Sequence, residues 1–204
     1  MNYLKDKVVL ITGAGKGAGR ALALAFAERE AVVAANDISP INVEQVVAEI
    51  VTSGGKAKAY IEDIAKKVGA QSLVNSVEDD FGRIDILVNH AAVEPHMSLL
   101  DMDEWDWHRT LDVNLTGAFL MTQSVGRMMR TSSKGAGMIL NIITRPSRGA
   151  DAARSAAAYL SSMAGLAALS RQADIELSPH GIRVYTVENS TDVVKDVMSM
   201  LESK

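Results

Sequence analysis

The chain of 204 residues has no cysteine, which rules out disulfides and thiolate chemistry and is compatible with a reducing compartment. It has no basic excess either: 21 Lys and Arg stand against 25 Asp and Glu, a formal net charge of -4. Without a basic field, nucleic acid is not an expected partner. No window approaches the ~20 apolar residues of a membrane helix. The opening "MNYLKDKVVLITGAG" lacks the long apolar region of a signal peptide. A cytoplasmic protein that spans no membrane is expected. No lysine lies between Lys134 and Lys195. What is present, 48% hydrophobic and 23% charged residues, suits an ordinary globular protein, and the length suits a single domain over residues 1–204.

Six short apolar runs alternate with segments of helical periodicity. They are "KVVLIT" (7–12), "AVVAAN" (31–36), "KAKAYIE" (56–62), "RIDILVN" (83–89), "GMILNII" (137–143) and "IRVYTVE" (182–188). Between them, patterns such as Val43, Val46, Val47 and Ile50 mark one face of a helix. Strands joined by helical crossovers form parallel pairs with right-handed connections. The predicted architecture is therefore α/β, a doubly wound parallel sheet of about six strands with helices on both faces. Near-continuous apolar strands fit a sheet covered on both sides.

The first strand runs into "TGAGKGAGR" (12–20), followed by a helix. Glycines allow a tight turn and close approach of backbone to a pyrophosphate, and the free N–H groups at a helix start favour its charge. Asp37 ends the second strand about 20 residues later, where a carboxylate accepts from adenosine-ribose hydroxyls and repels a 2′-phosphate. NAD is favoured over NADP. Lys16 reads foremost as a solvated loop charge; paired with a 2′-phosphate it would pull toward NADP. A P-loop is excluded, because Gly17 follows Lys16 where a Ser or Thr hydroxyl would be needed. The scattered His96, His108 and His180 have no ligand-like spacing, so no metal is expected.

The spacing of Thr12, Gly13, Gly17 and Gly19 resembles that of the short-chain dehydrogenase/reductase family, and ordered motifs continue the likeness to about residue 188. The resemblance implies a Rossmann-like fold. It implies that "EDI" (62–64) brings Asp63 and Ile64 to the adenine, and that "ILVNHAA" (86–92) supplies Asn89 and Ala91 at the cofactor. "LDVNLTGAFLMTQ" (111–123) is similar to the helix carrying an active-site Asn, here Asn114. "ILNIIT" (139–144) resembles the strand that delivers a catalytic Ser, with Thr144 in its place and Ser147 as a competitor. "AYLSSMAGLAALSR" (158–171) resembles the Tyr-x-x-x-Lys helix, which implies Tyr159 as acid/base. For Tyr159 a buried, hydrogen-bonded phenol is the plainer alternative, for Asn114 a bond to the backbone of the fourth strand, and for Thr144 and Ser147 a capping loop hydroxyl.

The departures cluster. A phenol with its ordinary pKa near 10 is a poor base at neutral pH, and a cation ~4–6 Å away would correct that. The position one turn after Tyr159 holds Met163, which offers no charge. Arg145, Arg148 and Arg154 lie nearby in sequence but lack the helical register of the missing ammonium. His90 replaces an Asn of the family pattern and is either a polar contact beside the cofactor or a tolerated loop side chain. "VENS" (187–190) stands where the family has a Pro-Gly turn. "STDVVKDVMSMLESK" (190–204) reads as one helix capped by Ser190 or Thr191, with the substrate-covering loop and a seventh strand expected to be missing. Relatives pair helices matching 103–131 and 153–177, so a homodimer or homotetramer is expected. Two functions follow: an NAD(H)-dependent oxidoreductase for an alcohol/carbonyl pair of a small-molecule substrate, with an impaired catalytic set, or an inactive dinucleotide-binding sensor or scaffold.

Overall fold

The computed structural model describes residues 3–131, 136–144, 156–189 and 192–202, without the side chains of Thr144, Asn189 and Glu202. Six strands form one sheet: β1 (Val8–Thr12), β2 (Val32–Asp37), β3 (Lys56–Ile61), β4 (Ile86–Asn89), β5 (Gly137–Thr144) and β6 (Ile182–Asn189). Their order is β3-β2-β1-β4-β5-β6 and every pair is parallel. The chain winds outward from β1 through β2 to β3, then returns to β4 on the other flank. This reversal opens a crevice at the carboxyl ends of β1 and β4, the place where such sheets receive ligands.

The described helices are α1 (Gly17–Glu28), α2 (Pro40–Thr52), α3 (Lys67–Phe81), α4 (Glu104–Leu111), α5 (Ala118–Thr131), α6 (Ala157–Leu177) and α7 (Val193–Glu202). The period-2 alternation of β1 explains how both faces are covered. Val9 and Ile11 pack with Leu22 and Phe26 of α1, Val46 of α2 and Val197 of α7. Val8 and Leu10 pack on the opposite side with Leu73 of α3, Val125 of α5 and Ala173 of α6. Among the described residues, no helix is long and apolar enough to cross a membrane.

Three local features differ from the sequence expectation or add to it. The fourth strand begins at Ile86 rather than Arg83, and Asp85 just before it turns its carboxylate to β1, accepting from the Val8 N–H at 2.9 Å. The last helix has Asp192 at its N-cap; Ser190 and Thr191 lie outside the described residues. The Asp192 Oδ1 accepts from the Lys195 N–H at 3.0 Å, the N-cap to N3 bond. The segment 104–131 is not one regular helix: a π-helical turn, Asp112–Gly117, separates α4 from α5. Such turns are uncommon and concentrate at functional sites.

Candidate functional site

The glycine loop is shaped by what its neighbours leave no room for. Gly13 and Gly17 adopt positive φ, +67° and +54°. A Cβ on Gly13 would lie 2.7 Å from the Ala91 Cα, and one on Gly19 would lie 2.1 Å from the Gly13 carbonyl oxygen. The loop, the exit of β4 and the start of α1 are therefore in backbone-to-backbone contact. Thr12 fastens them from behind. Its buried hydroxyl donates to the Val88 carbonyl and accepts from the N–H groups of His90 and Ala91, at 3.1 and 3.2 Å.

Asp37 completes the loop. Its Oδ2 accepts from the Gly15 N–H and its Oδ1 from the Ser39 N–H, both at 2.9 Å. Asn36, buried beside it, donates to the carbonyls of Tyr60 and Glu62 and holds the exit of β3 against β2. That exit carries Asp63, whose Oδ1 accepts from the Ala65 N–H at 3.1 Å and whose Oδ2 lies 3.6 Å from the Arg109 guanidinium. A cavity of about 230 Å³ results, lined by Gly13, Lys16, Asp37, Asp63, Ile64, His90, Ala91 and Arg109 among others. Close-packed backbone, a helix N-terminus and two carboxylates at the wall are what the adenosine and pyrophosphate portion of a dinucleotide requires. The residues present fit that group.

Asn89 belongs to a different environment from the one expected of a cofactor contact. Its side chain points into the core, with Nδ2 donating to Asn141 Oδ1 at 2.8 Å and to Thr122 Oγ1 at 3.2 Å. Asn141 donates onward to Ser170 Oγ, which donates to the Leu166 carbonyl. The chain of bonds ties β4, β5, α5 and α6 together beneath the crevice.

Asn114 sits inside the π turn with its amide fully engaged. Oδ1 accepts from the Val93 N–H at 2.8 Å, and Nδ2 donates to the Val93 carbonyl and to Ser162 Oγ, both at 3.0 Å. The backbone it bonds lies beyond the end of β4 rather than within that strand, and the amide also grips α6. Ser162 in turn donates to the Tyr159 carbonyl at 2.7 Å. Tyr159 and Met163 are both buried, 3% and 4% exposed. Thr144 ends β5 beside the crevice. Ser147, Arg145, Arg148 and Arg154 lie outside the described residues.

Sequence reasoning missed Ser162, Asn141 and Arg109. A serine within the apolar stripe of α6 and an asparagine within "ILNIIT" were the available signals, since a buried polar group implies a partner. Nothing local announces that Arg109 meets Asp63.

A parallel α/β sheet with this loop and crevice defines a dinucleotide-binding protein. The model of the family described as short chain dehydrogenase matches residues 7–199, and the chain belongs to that family. It is 36% identical over 203 residues to an uncharacterised oxidoreductase of Thermotoga maritima, covering all of this chain and 78% of the relative. It is 35% identical over 185 residues to D-threitol dehydrogenase of Mycolicibacterium smegmatis, covering 90% of this chain and 69% of the relative. Among solved structures, a metagenomic short-chain oxidoreductase in complex with NADP superposes with a TM-score of 0.87 at 28% identity, covering 98% of this chain and 92% of the other. NAD⁺-bound xylitol dehydrogenase gives 0.83 at 33% identity, covering 91% and 70%.

Proposed function

We propose that residues 1–204 form a single NAD(P)-binding domain, an NAD(H)-preferring oxidoreductase for an alcohol/carbonyl pair whose proton transfer is impaired. The position of Asp37 carries the cofactor reading. Backbone N–H groups hold its carboxylate at the pocket wall, where it would accept from ribose hydroxyls and repel a 2′-phosphate. The backbone of Gly13, Gly17 and Gly19 would receive the pyrophosphate at the N-terminus of α1. Asp63, Ile64 and Ala91 would border the adenosine, while Lys16, exposed on the loop, stays solvated. Thr12 and Asn89 act behind the pocket by fixing its walls. The bound nicotinamide would supply or accept the hydride.

In the other half, Tyr159 would exchange the proton with the substrate oxygen, and Thr144 or Ser147 would orient that oxygen. Asn114 positions α6 through Ser162. Met163 removes the cation that would favour the phenolate, so the proton-transfer step would be slow at neutral pH. That buried methionine also supports a second reading, an inactive sensor or scaffold that binds the dinucleotide without reaction. Wild-type turnover of an alcohol or carbonyl substrate separates the two. Exposed apolar side chains on α4, α5 and α6, among them Trp105, Phe119 and Leu160, support self-association as a homodimer or homotetramer, testable by sedimentation. A cytoplasmic location belongs to the same proposal.

Titration of NADH and NADPH into the wild type and Asp37→Ala tests the cofactor reading. The wild type should prefer NADH. Loss of charge-assisted hydrogen bonds of about 1.5–3 kcal/mol should weaken NADH binding by about tenfold to a hundredfold, with NADPH changing least. Absence of wild-type binding at millimolar cofactor would overturn the reading.

A further inference from the structure

His90 directly follows β4 and its ring lines the cavity beside Gly13, Lys16 and Asp37. Its Nδ1 is sealed from solvent and meets no aligned hydrogen-bond partner. A Cβ on Gly19 would lie 2.7 Å from that nitrogen, so the ring is wedged between the glycine loop and the first turn of α1. Only a residue without a side chain at Gly19 leaves space for it. A polar nitrogen buried without a partner is uncommon enough to require a reason.

The charged and titratable groups around the same cavity are Lys16 from the loop, Asp37 from β2, Glu62 and Asp63 from the exit of β3, and Arg109 from α4. Burial holds the His90 imidazole below its ordinary value, while the nearby backbone of Gly13 and Thr12 and the charge of Asp37 pull the other way. Burial therefore favours the neutral ring in the free protein.

We propose that His90 is a binding residue for the dinucleotide pyrophosphate and takes up a proton as that anion enters. The inference rests on the dinucleotide-binding reading. A pyrophosphate at the N-terminus of α1 brings two negative charges to the loop against which the ring is packed. An opposite charge within ~4–6 Å favours the imidazolium. The protonated ring then carries two N–H donors in place of one, and its charge stabilises the anion. Binding and protonation are linked, so affinity rises as pH falls toward the histidine range.

Calorimetric titration with ADP-ribose, which holds the adenosine and pyrophosphate without redox chemistry, tests this. Measured at pH 6.5 in two buffers of different ionisation heat, wild-type binding should take up about half a proton or more. Affinity should tighten severalfold from pH 7.5 to 6.0, with a ceiling of about tenfold for each unit by which binding raises the ring's pKa. His90→Asn and His90→Gln should bind with uptake near zero and a flat pH profile. Wild-type binding without proton uptake, or uptake retained in both variants, overturns the role of His90 alone. The wild-type measurement decides even if neither variant folds. No binding of ADP-ribose at millimolar concentration overturns the dinucleotide reading and this inference together.

Discussion

On the β1–β2–β3 side of the crevice, polar side chains serve the pocket wall. Asp37 and Asp63 bond to backbone N–H groups and still line the cavity. On the β4–β5 side, Asn89, Asn141, Ser170, Asn114 and Ser162 bond to one another, to Thr122 and to backbone inside the protein. The residue that would carry a cation there is a buried methionine. Among the described residues, the carboxylates that face the cavity come from the first side, while the second side adds His90 after β4 and Arg109 of α4. The chain thus keeps the family fold although a methionine stands where the resemblance places a cation.

The largest effect is expected from Gly19→Ala. The new methyl would meet the Gly13 carbonyl oxygen, a backbone atom that cannot rotate aside. A loss of about 4 kcal/mol of stability is expected, with no detectable ADP-ribose binding. Gly17→Ala is the control: its Cβ would meet nothing within 4 Å, so only the left-handed backbone opposes it, at about 1–2 kcal/mol. Equal losses in denaturant melts would show that steric fit at Gly19 does not set this half of the site.

Met163→Lys attacks the comparison from the other side. Placing an ammonium at a position 4% exposed should destabilise the free protein by about 3 kcal/mol, because burial opposes the charged form. Saturating NADH should recover part of that loss in a thermal melt if the new ammonium meets the cofactor. Turnover gained only in the variant would mark a lapsed site. Turnover by the wild type would sink the inactive reading.

The features most legible in the sequence were those set by local rules. Apolar runs located the six strands of the sheet, since a sheet covered on both faces demands them, and the glycine spacing located the tight turn between β1 and α1, since its steric needs fall on adjacent residues. Asp37 was legible because the loop fixes its distance along the chain. The π turn was not, and the Asn114 side chain within it bonds Val93, a tertiary contact with no local signature. Asp192 was not singled out, because its role as a cap shows only once its carboxylate meets the Lys195 N–H. Asn89 looked like a cofactor contact until β4 and β5 were placed in register, Asn89 beside Asn141. That pairing turns it inward.

The smallest effect concerns that same pair. If the bonds beneath the crevice are structural, removing them should change stability without changing cofactor affinity. Asn89→Ala leaves the Asn141 Oδ1 without its donor, at about 2 kcal/mol, since a buried polar group left unpaired loses its hydration as well, whereas Asn141→Ala leaves the Asn89 Nδ2 its bond to Thr122 Oγ1 and should cost about 1 kcal/mol. The double variant removes both partners and should lose less than the sum, with a coupling of about 1 kcal/mol for neighbours in one network. ADP-ribose affinity should stay within about twofold throughout, because a difference that small corresponds to less than 0.5 kcal/mol. Zero coupling in urea melts would mean the 2.8 Å bond does not join the strands energetically. Lost affinity in the singles would mean the network reaches the cavity, and the contrast between the two sides of the crevice would be one of degree.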